Sequence, residues 1–139
     1  MTMLSERDRE RMKGLHPDLI RLVEAAAAYA PIHFMVIEGL RSEAQQAAYV
    51  ASGASQTMNS RHLTGHAVDL GVLDDAGNLT WEWPWYDRFA VHMKGGSQLN
   101  GIPVEWGGDW TSFKDGPHWQ LPWEQYPGAE PLPDEPVEV

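Results

Sequence analysis

Two separate stretches of the chain hold side chains that could bind a metal ion and cleave a bond. The first contains His62 and Asp69, and the second contains Asp115 and His118. Zinc in a hydrolytic site takes three His or carboxylate ligands and keeps its fourth position for a water molecule, whose pKa falls to about 7. His62, Asp69 and His118 would supply such a set. Thiolate ligands and thiol nucleophiles are excluded because the chain has no cysteine.

The spacing of these residues allows them to converge. We expect Asp69 to lie in a strand and His62 to precede it on a loop that Gly65 allows to bend sharply. In the last predicted strand, His118 and Gln120 would share one face because side chains alternate along a strand. Since ligand type limits the choice of metal only loosely, zinc, manganese and cobalt all stay open.

Asp115 and Arg41 are the predicted catalytic residues. Asp115 precedes His118 across a Gly-Pro turn, and its unperturbed pKa of about 3.9 leaves it ionised at neutral pH, so it suits a general base. The Arg41 guanidinium could hold a substrate carboxylate or the oxyanion of a tetrahedral intermediate. Ser60 is predicted to bind substrate or cap its loop rather than act as a nucleophile, because no triad spacing is visible.

Other polar residues near the motifs are expected to be structural. His66 should face away from the ligands, since its position before Asp69 tends to the opposite side of the strand. Glu38 is expected to orient Arg41 as an ion-pair partner. The remaining histidines show no partner pattern and are predicted at surface or packing positions: His16, His33 and His92.

Periodicity, caps and breakers predict three helices and four strands around these residues. The helices are predicted between Pro17 and Pro31, from a capping box at Ser42 to Gly53, and from Tyr86 to about Lys94, where Gly95-Gly96 would end the last one. The strands are predicted over residues 33–37, 67–72, 102–106 and 118–121.

Length and charge limit the domain organisation and the partners. A chain of 139 residues is the size of one domain. Its 20 acidic and 10 basic residues give a formal charge of −10, which argues against nucleic acid as a partner. Residues 122–139 hold five acids, five prolines and no base. We therefore predict a catalytic domain over residues 1–121 and a disordered, acidic, proline-rich tail over residues 122–139.

The chain also lacks the patterns of export and of membrane insertion. Its first residues alternate in charge and are not followed by the apolar stretch of a signal peptide. No run approaches the roughly 20 apolar residues that a bilayer requires. We predict no signal peptide and no stable association with a membrane.

Two motifs together give the chain a family resemblance. They are Ser60-x-His62-x-x-Gly65-x-Ala67-x-Asp69 and Asp115-x-x-His118. This pattern resembles the zinc D-Ala-D-Ala carboxypeptidase and dipeptidase family, and more closely its phage branch, the L-alanyl-D-glutamate endopeptidases that serve as endolysins. Neighbouring segments extend the resemblance over residues 15–121. Carboxypeptidase relatives usually carry Glu in place of Asp115, so the aspartate favours the endopeptidase branch.

The resemblance implies a small α+β domain of the hedgehog and DD-peptidase type, whose antiparallel sheet carries a zinc site with flanking helices. It implies one zinc ion held by His62, Asp69 and His118. It also implies catalysis by Asp115 and contact of Arg41 with the substrate or transition state. The implied substrate is the peptidoglycan stem peptide, cut at its L-Ala–D-Glu bond. As a monomeric endolysin, such an enzyme would wait in the host cytoplasm until a pore-forming holin opened the way to the cell wall.

Three alternatives stay open from the sequence. A D-Ala-D-Ala carboxypeptidase or dipeptidase would share the metal site but release free D-Ala. A cell-wall-binding module would keep the fold without catalysis, although Asp115 and all three proposed ligands are present. A structural protein without metal is the third alternative.

Overall fold

A four-stranded antiparallel sheet forms the centre of the computed structural model, which describes residues 2–55 and 60–127. Its strands lie in the order β1-β2-β4-β3. The strands are β1 (Phe34–Glu38), β2 (Ala67–Val72), β3 (Glu105–Trp106) and β4 (His118–Gln120). The helices are α1 (Glu6–Arg11), α2 (Pro17–Tyr29), α3 (Glu43–Ser52) and α4 (Trp83–Asn100). The predicted α+β class is confirmed.

Local signals in the sequence set the ends of α2 and α3. Pro17 occupies the first turn of α2, where its missing N–H costs nothing. In α3, the Ser42 side chain accepts from the Gln45 backbone N–H and the Gln45 side chain accepts from that of Ser42, the reciprocal arrangement of a capping box. Gly53 ends α3 in the left-handed conformation. Both helices lie where the sequence predicts them.

Helix α4 is longer than predicted. The expected break at Gly95-Gly96 is wrong, since the helix continues to Asn100 and ends at Gly101, whose φ is +65°. Phe89 and Met93 are buried on the face of α4 that packs into the core. Burial of each such side chain stabilises the fold by about 1.5–3 kcal/mol. This gain outweighs the cost of a glycine within a helix, which is about 1 kcal/mol.

We expect Gly95→Ala to raise the free energy of unfolding by about 0.5–1 kcal/mol, because alanine loses less conformational entropy in a helix. A Cβ at Gly95 would meet no heavy atom within 4 Å. Urea unfolding of the variant and the parent measures the difference. Gly101→Ala is the matched contrast. It should lower the free energy of unfolding by about 1 kcal/mol, because the left-handed backbone conformation at position 101 disfavours a side chain. Equal effects of the two changes would contradict the assignment of the helix end.

The predicted strand over residues 102–106 is also corrected, because only Glu105–Trp106 pairs with β4. Pro103 has no N–H to donate to a ladder. The short α1, which the sequence analysis did not predict, begins with a capping box between Ser5 and Asp8. Strand β3 and helix α1 are both too short to show a clear hydrophobic periodicity in the sequence.

The core lies between the sheet and the helices α2 and α4. It includes Leu19, Leu22, Phe34, Leu70, Phe89, Met93 and Trp119. Trp106 and Trp119 are both buried in this core and stack with ring centroids 5.6 Å apart. Among the described residues, no helix combines the length and apolar character needed to span a bilayer.

Three residues at the start of the predicted tail contact the domain, namely Pro122, Trp123 and Tyr126. Tyr126 donates a hydrogen bond from its hydroxyl to Asp18 at 2.6 Å. Arg61 donates to the Tyr126 carbonyl oxygen at 2.5 Å, and its guanidinium lies 4.0 Å from the centre of the Trp123 ring. Apolar packing and these polar contacts outweigh the acidic, proline-rich composition. Residues 128–139 lie outside the described residues, so the prediction of disorder stays a prediction there.

Candidate metal centre

The sheet register brings together the two motifs that are distant in sequence. Asp69 on β2 is the direct cross-strand partner of His118 on β4. His62 reaches them from a 3-10 turn over Arg61–Thr64, which Gly65 ends with a φ of +78°. A side chain at Gly65 would overlap the Gly14 carbonyl oxygen. The predicted sharp bend at this glycine is therefore present, and close packing against the Gly14 backbone adds to the need for glycine.

His62, Asp69 and His118 form a compact cluster. Their ligand atoms all lie within 4.8 Å of one another. The Asp69 Oδ1 atom is 3.2 Å from His62 Nε2 and 3.3 Å from His118 Nδ1. The two histidines are 2% and 6% exposed. Among residues 2–55 and 60–127, this is the one group of three or more such side chains that meets the geometry of a metal site.

The outer nitrogen of each imidazole is already engaged. His62 Nδ1 donates to the Gly39 carbonyl oxygen at 2.7 Å, and His118 Nε2 donates to the Gln120 side-chain oxygen at 2.7 Å. In the neutral rings, the inner nitrogens then present lone pairs toward the Asp69 carboxylate. Three acceptors that face one another need a cation between them, and such outer hydrogen bonds are typical of metal-ligating histidines. The donor set of two nitrogens and one oxygen fits a zinc ion with one open position.

Electrostatics at the cluster favour bound positive charge. Burial alone would raise the pKa of Asp69, but the imidazoles of His62 and His118 hold it well below its usual range. Burial acts to lower the pKa of His118, yet the hydrogen bond and charge of Asp69 outweigh it and raise that pKa. Asp69 is therefore an anion that stabilises cations beside it.

Arg41 is held at the edge of this cluster by a network of side chains. Its Nε donates to Glu38 Oε1 at 2.9 Å, its Nη2 donates to the same oxygen, and its Nη1 donates to Gln46 Oε1 at 2.6 Å. The ring of Tyr49 lies 4.5 Å from the guanidinium carbon, and the Tyr49 hydroxyl donates to Glu38 at 3.1 Å. The expected role of Glu38 as the partner that orients Arg41 agrees with these contacts. Arg41 Nη2 lies 3.8 Å from Asp69 Oδ2.

Asp115 lies in the same cleft as the cluster. Its backbone N–H donates to the Gly107 carbonyl oxygen, and its own carbonyl oxygen accepts from the backbone N–H of His118. Burial raises the pKa of Asp115, as does the negative charge of Asp69, while the two imidazoles and the Arg41 cation partly oppose the rise. A carboxylate with a raised pKa is a better proton acceptor at neutral pH.

Ser60 and His66 take structural positions. The Ser60 hydroxyl accepts from the His62 backbone N–H at 3.2 Å and so caps the 3-10 turn, while Ser60 also lines the cleft. His66 is 4% exposed and lies outside the cluster, with its Nδ1 2.7 Å from the Thr64 hydroxyl. His16, expected at a packing or surface position, caps α2 by accepting from the Asp18 backbone N–H.

The cleft above the cluster has a volume of about 810 Å³. Sequence reasoning missed four aromatic residues that line it: Tyr49, Trp110, Phe113 and Trp123. Phe113 has a φ of +51°, an unusual backbone conformation for a bulky residue and one often associated with functional sites. No periodic pattern marks these positions, because helix α3 carries Tyr49 and loops carry the other three. The proximity of Trp110 and Phe113 to Asp115 was the available signal.

We expect the stability of the metal-free protein to fall as the pH drops from about 6.5 to 4 because of His66. Burial, with smaller effects of Arg61 and His16, lowers the pKa of His66 to about 4. The unfolded chain binds this proton at higher pH than the folded chain, so the effect of His66 on stability grows across that window and is constant below it. The shift corresponds to about 3 kcal/mol.

Urea unfolding at several pH values, with a chelator present throughout, measures this dependence. His66→Asn should flatten the decline, whereas replacing the exposed histidine in His92→Ala should leave it unchanged. An identical pH dependence in the parent and in His66→Asn would contradict this account.

Comparison with known proteins identifies a family that this chain matches. A family model described as phage L-alanyl-D-glutamate peptidase matches residues 1–120. The chain belongs to this family. The L-alanyl-D-glutamate peptidase of Listeria phage A118 is 41% identical to this chain over 95 residues. The matched region is 68% of this chain and 32% of that protein. This chain therefore spans about a third of the length of that relative.

Two further proteins support the assignment to the phage L-alanyl-D-glutamate peptidase family. The L-alanyl-D-glutamate peptidase of Escherichia phage T5 is 29% identical over 112 residues, covering 76% of this chain and 80% of that protein. The crystal structure of the Serratia marcescens L-Ala D-Glu endopeptidase ChiX superposes with a TM-score of 0.83 and 47% identity, covering 90% of this chain and 93% of that chain. The fold is therefore that of a solved endopeptidase.

Proposed function

We propose that this chain is a zinc peptidase that cleaves the L-Ala–D-Glu bond of peptidoglycan stem peptides. The observation that carries the proposal is the buried cluster of His62, Asp69 and His118, whose outer imidazole nitrogens are already hydrogen-bonded. The relatives named above supply the bond and the polymer, because their names state an L-alanyl-D-glutamate peptidase or endopeptidase activity.

The residues divide the chemistry of hydrolysis between them. When bound, zinc supplies Lewis acidity, which acidifies water and polarises the peptide carbonyl. The Asp115 carboxylate accepts a proton from the attacking water while the water oxygen forms a bond to the carbonyl carbon. As the C–N bond breaks, Asp115 returns that proton to the amino group of D-Glu. The Arg41 guanidinium, held by Glu38 and Gln46, stabilises negative charge on the carbonyl oxygen or binds a substrate carboxylate.

The phage origin of two relatives supports a proposal for the biological setting. We propose that the protein is an endolysin that lyses the host cell, acts as a monomer, and reaches the wall from the host cytoplasm after a holin permeabilises the membrane. Ser60, at the cleft, would contact the stem peptide. The phage relatives and the cleft support these proposals.

Mass spectrometry of purified cell walls digested by the protein identifies the bond that is cut. We expect fragments with a new amino terminus on glutamate and a matching carboxyl terminus on L-Ala. Free D-Ala would instead indicate the carboxypeptidase activity. Binding to walls without any new terminus would indicate a wall-binding module, and either result would overturn the proposed reaction.

A further inference from the structure

We propose that Gln120 and Glu105 are positioning residues that fix the orientation and the proton of His118, and so raise the metal affinity of the site. This role rests on the proposed function of His118 as a metal ligand. Neither residue belongs to the ligand set, and both lie one or two hydrogen bonds away from it.

The sheet register places these residues in a row. His118 pairs with Asp69 across β2 and β4, and Gln120 pairs with Glu105 across β4 and β3. Side chains two positions apart on a strand share a face, so His118 and Gln120 both face the cleft. Both residues line the cleft, and Gln120 is buried.

The carboxylate at the end of the row sets the direction of every hydrogen bond. A carboxylate can only accept, so the Gln120 amide nitrogen must face Glu105, to which it donates at 3.2 Å. The Gln120 oxygen then faces His118 at 2.7 Å. Since an amide oxygen can only accept, His118 Nε2 must carry the proton, and Nδ1 keeps its lone pair for the metal.

Without Glu105, the Gln120 amide could turn over at little cost in shape. Its NH₂ group would then face His118 Nε2 and drive the ring proton to Nδ1, the nitrogen nearest to Asp69. That proton would have to leave before a metal could bind. His62 needs no such device, because the Gly39 backbone carbonyl, which can only accept, fixes its tautomer.

The zinc dissociation constant, measured by competition with a chromophoric chelator, tests this role. Glu105→Ala should weaken zinc binding about tenfold, and Gln120→Leu about 10- to 100-fold. Glu105→Gln should recover only part of the affinity, because an amide can accept from Gln120 but can also donate to it and so no longer fixes the direction of the hydrogen bonds. Glu82→Ala, which removes an exposed carboxylate on another element, is the control for net charge.

Nitrogen-15 NMR of the metal-free variants at alkaline pH supplies a second readout. The fraction of His118 with its proton on Nε2 should fall in Glu105→Ala and be intermediate in Glu105→Gln. A parent-like tautomer ratio and zinc affinity in Glu105→Ala would overturn the positioning role, as would an equal loss of affinity in Glu82→Ala. If the parent binds no zinc, the proposed function fails, while the tautomer ratio still decides whether the row of hydrogen bonds controls His118. Because Glu105 is only half-buried, its variants test the idea even if Gln120→Leu does not fold.

Discussion

Asp115→Ala should lower the turnover number for wall cleavage by about 100- to 10,000-fold, the contribution of a well-placed general base. The structure places Asp115 in the cleft of the metal cluster but outside the ligand set. The variant should therefore keep its metal and its affinity for walls. Release of soluble peptide from purified walls gives the rate, and elemental analysis gives the metal content.

Two comparisons make this result specific. Asp109→Ala removes an exposed aspartate that pairs with Lys94 and should leave the rate nearly unchanged. Asp115→Glu keeps the acid but lengthens it, so it tests how closely the carboxylate must be placed. Full activity of Asp115→Ala would show that another group accepts the proton, and loss of metal from this variant would show that Asp115 acts as a ligand.

Removal of the metal should abolish cleavage, and added zinc should restore it. A metal ion contributes several kcal/mol to stabilising the transition state, and each 1.4 kcal/mol corresponds to about tenfold in rate. We therefore expect a loss of about a thousandfold or more after dialysis against a chelator. Parallel additions of zinc, manganese and cobalt show which ion supports the highest rate.

The variant His62→Ala should show the same loss of cleavage rate, and added zinc should not restore the rate, because one of the three proposed ligands is missing. His92→Ala is the matched control, since His92 is exposed and distant in sequence from both motifs. Activity that survives the chelator, or that survives His62→Ala, would contradict a catalytic metal.

The clustering of His62, Asp69 and His118 could be predicted from sequence because local rules act on each motif. Strand alternation sets His118 and Gln120 on one face, and Gly65 sets the bend that brings His62 toward Asp69. The meeting of the two motifs depends on the pairing of β2 with β4, which spacing alone did not specify. The family pattern supplied that link.

The features that sequence reasoning missed depend on packing between distant segments. The continuation of α4 through Gly95 is decided by the burial of Phe89 and Met93. The attachment of Tyr126 is decided by contacts with Arg61 and Asp18. Helix propensity and local composition do not include such tertiary contacts. They therefore predicted that α4 would break at Gly95-Gly96 and that the loosely attached tail would begin at residue 122.

The docking of α1 has a consequence for association between copies of the chain. β1 is an edge strand of the sheet, yet Asp8 accepts from the Val36 backbone N–H at 2.9 Å and Arg11 donates to the Val36 carbonyl oxygen at 3.0 Å. The short helix thus occupies the groups through which an incoming strand would pair. Unprotected edges template aggregation, so a chain shortened to begin after Arg11 would expose a strand that other molecules could extend.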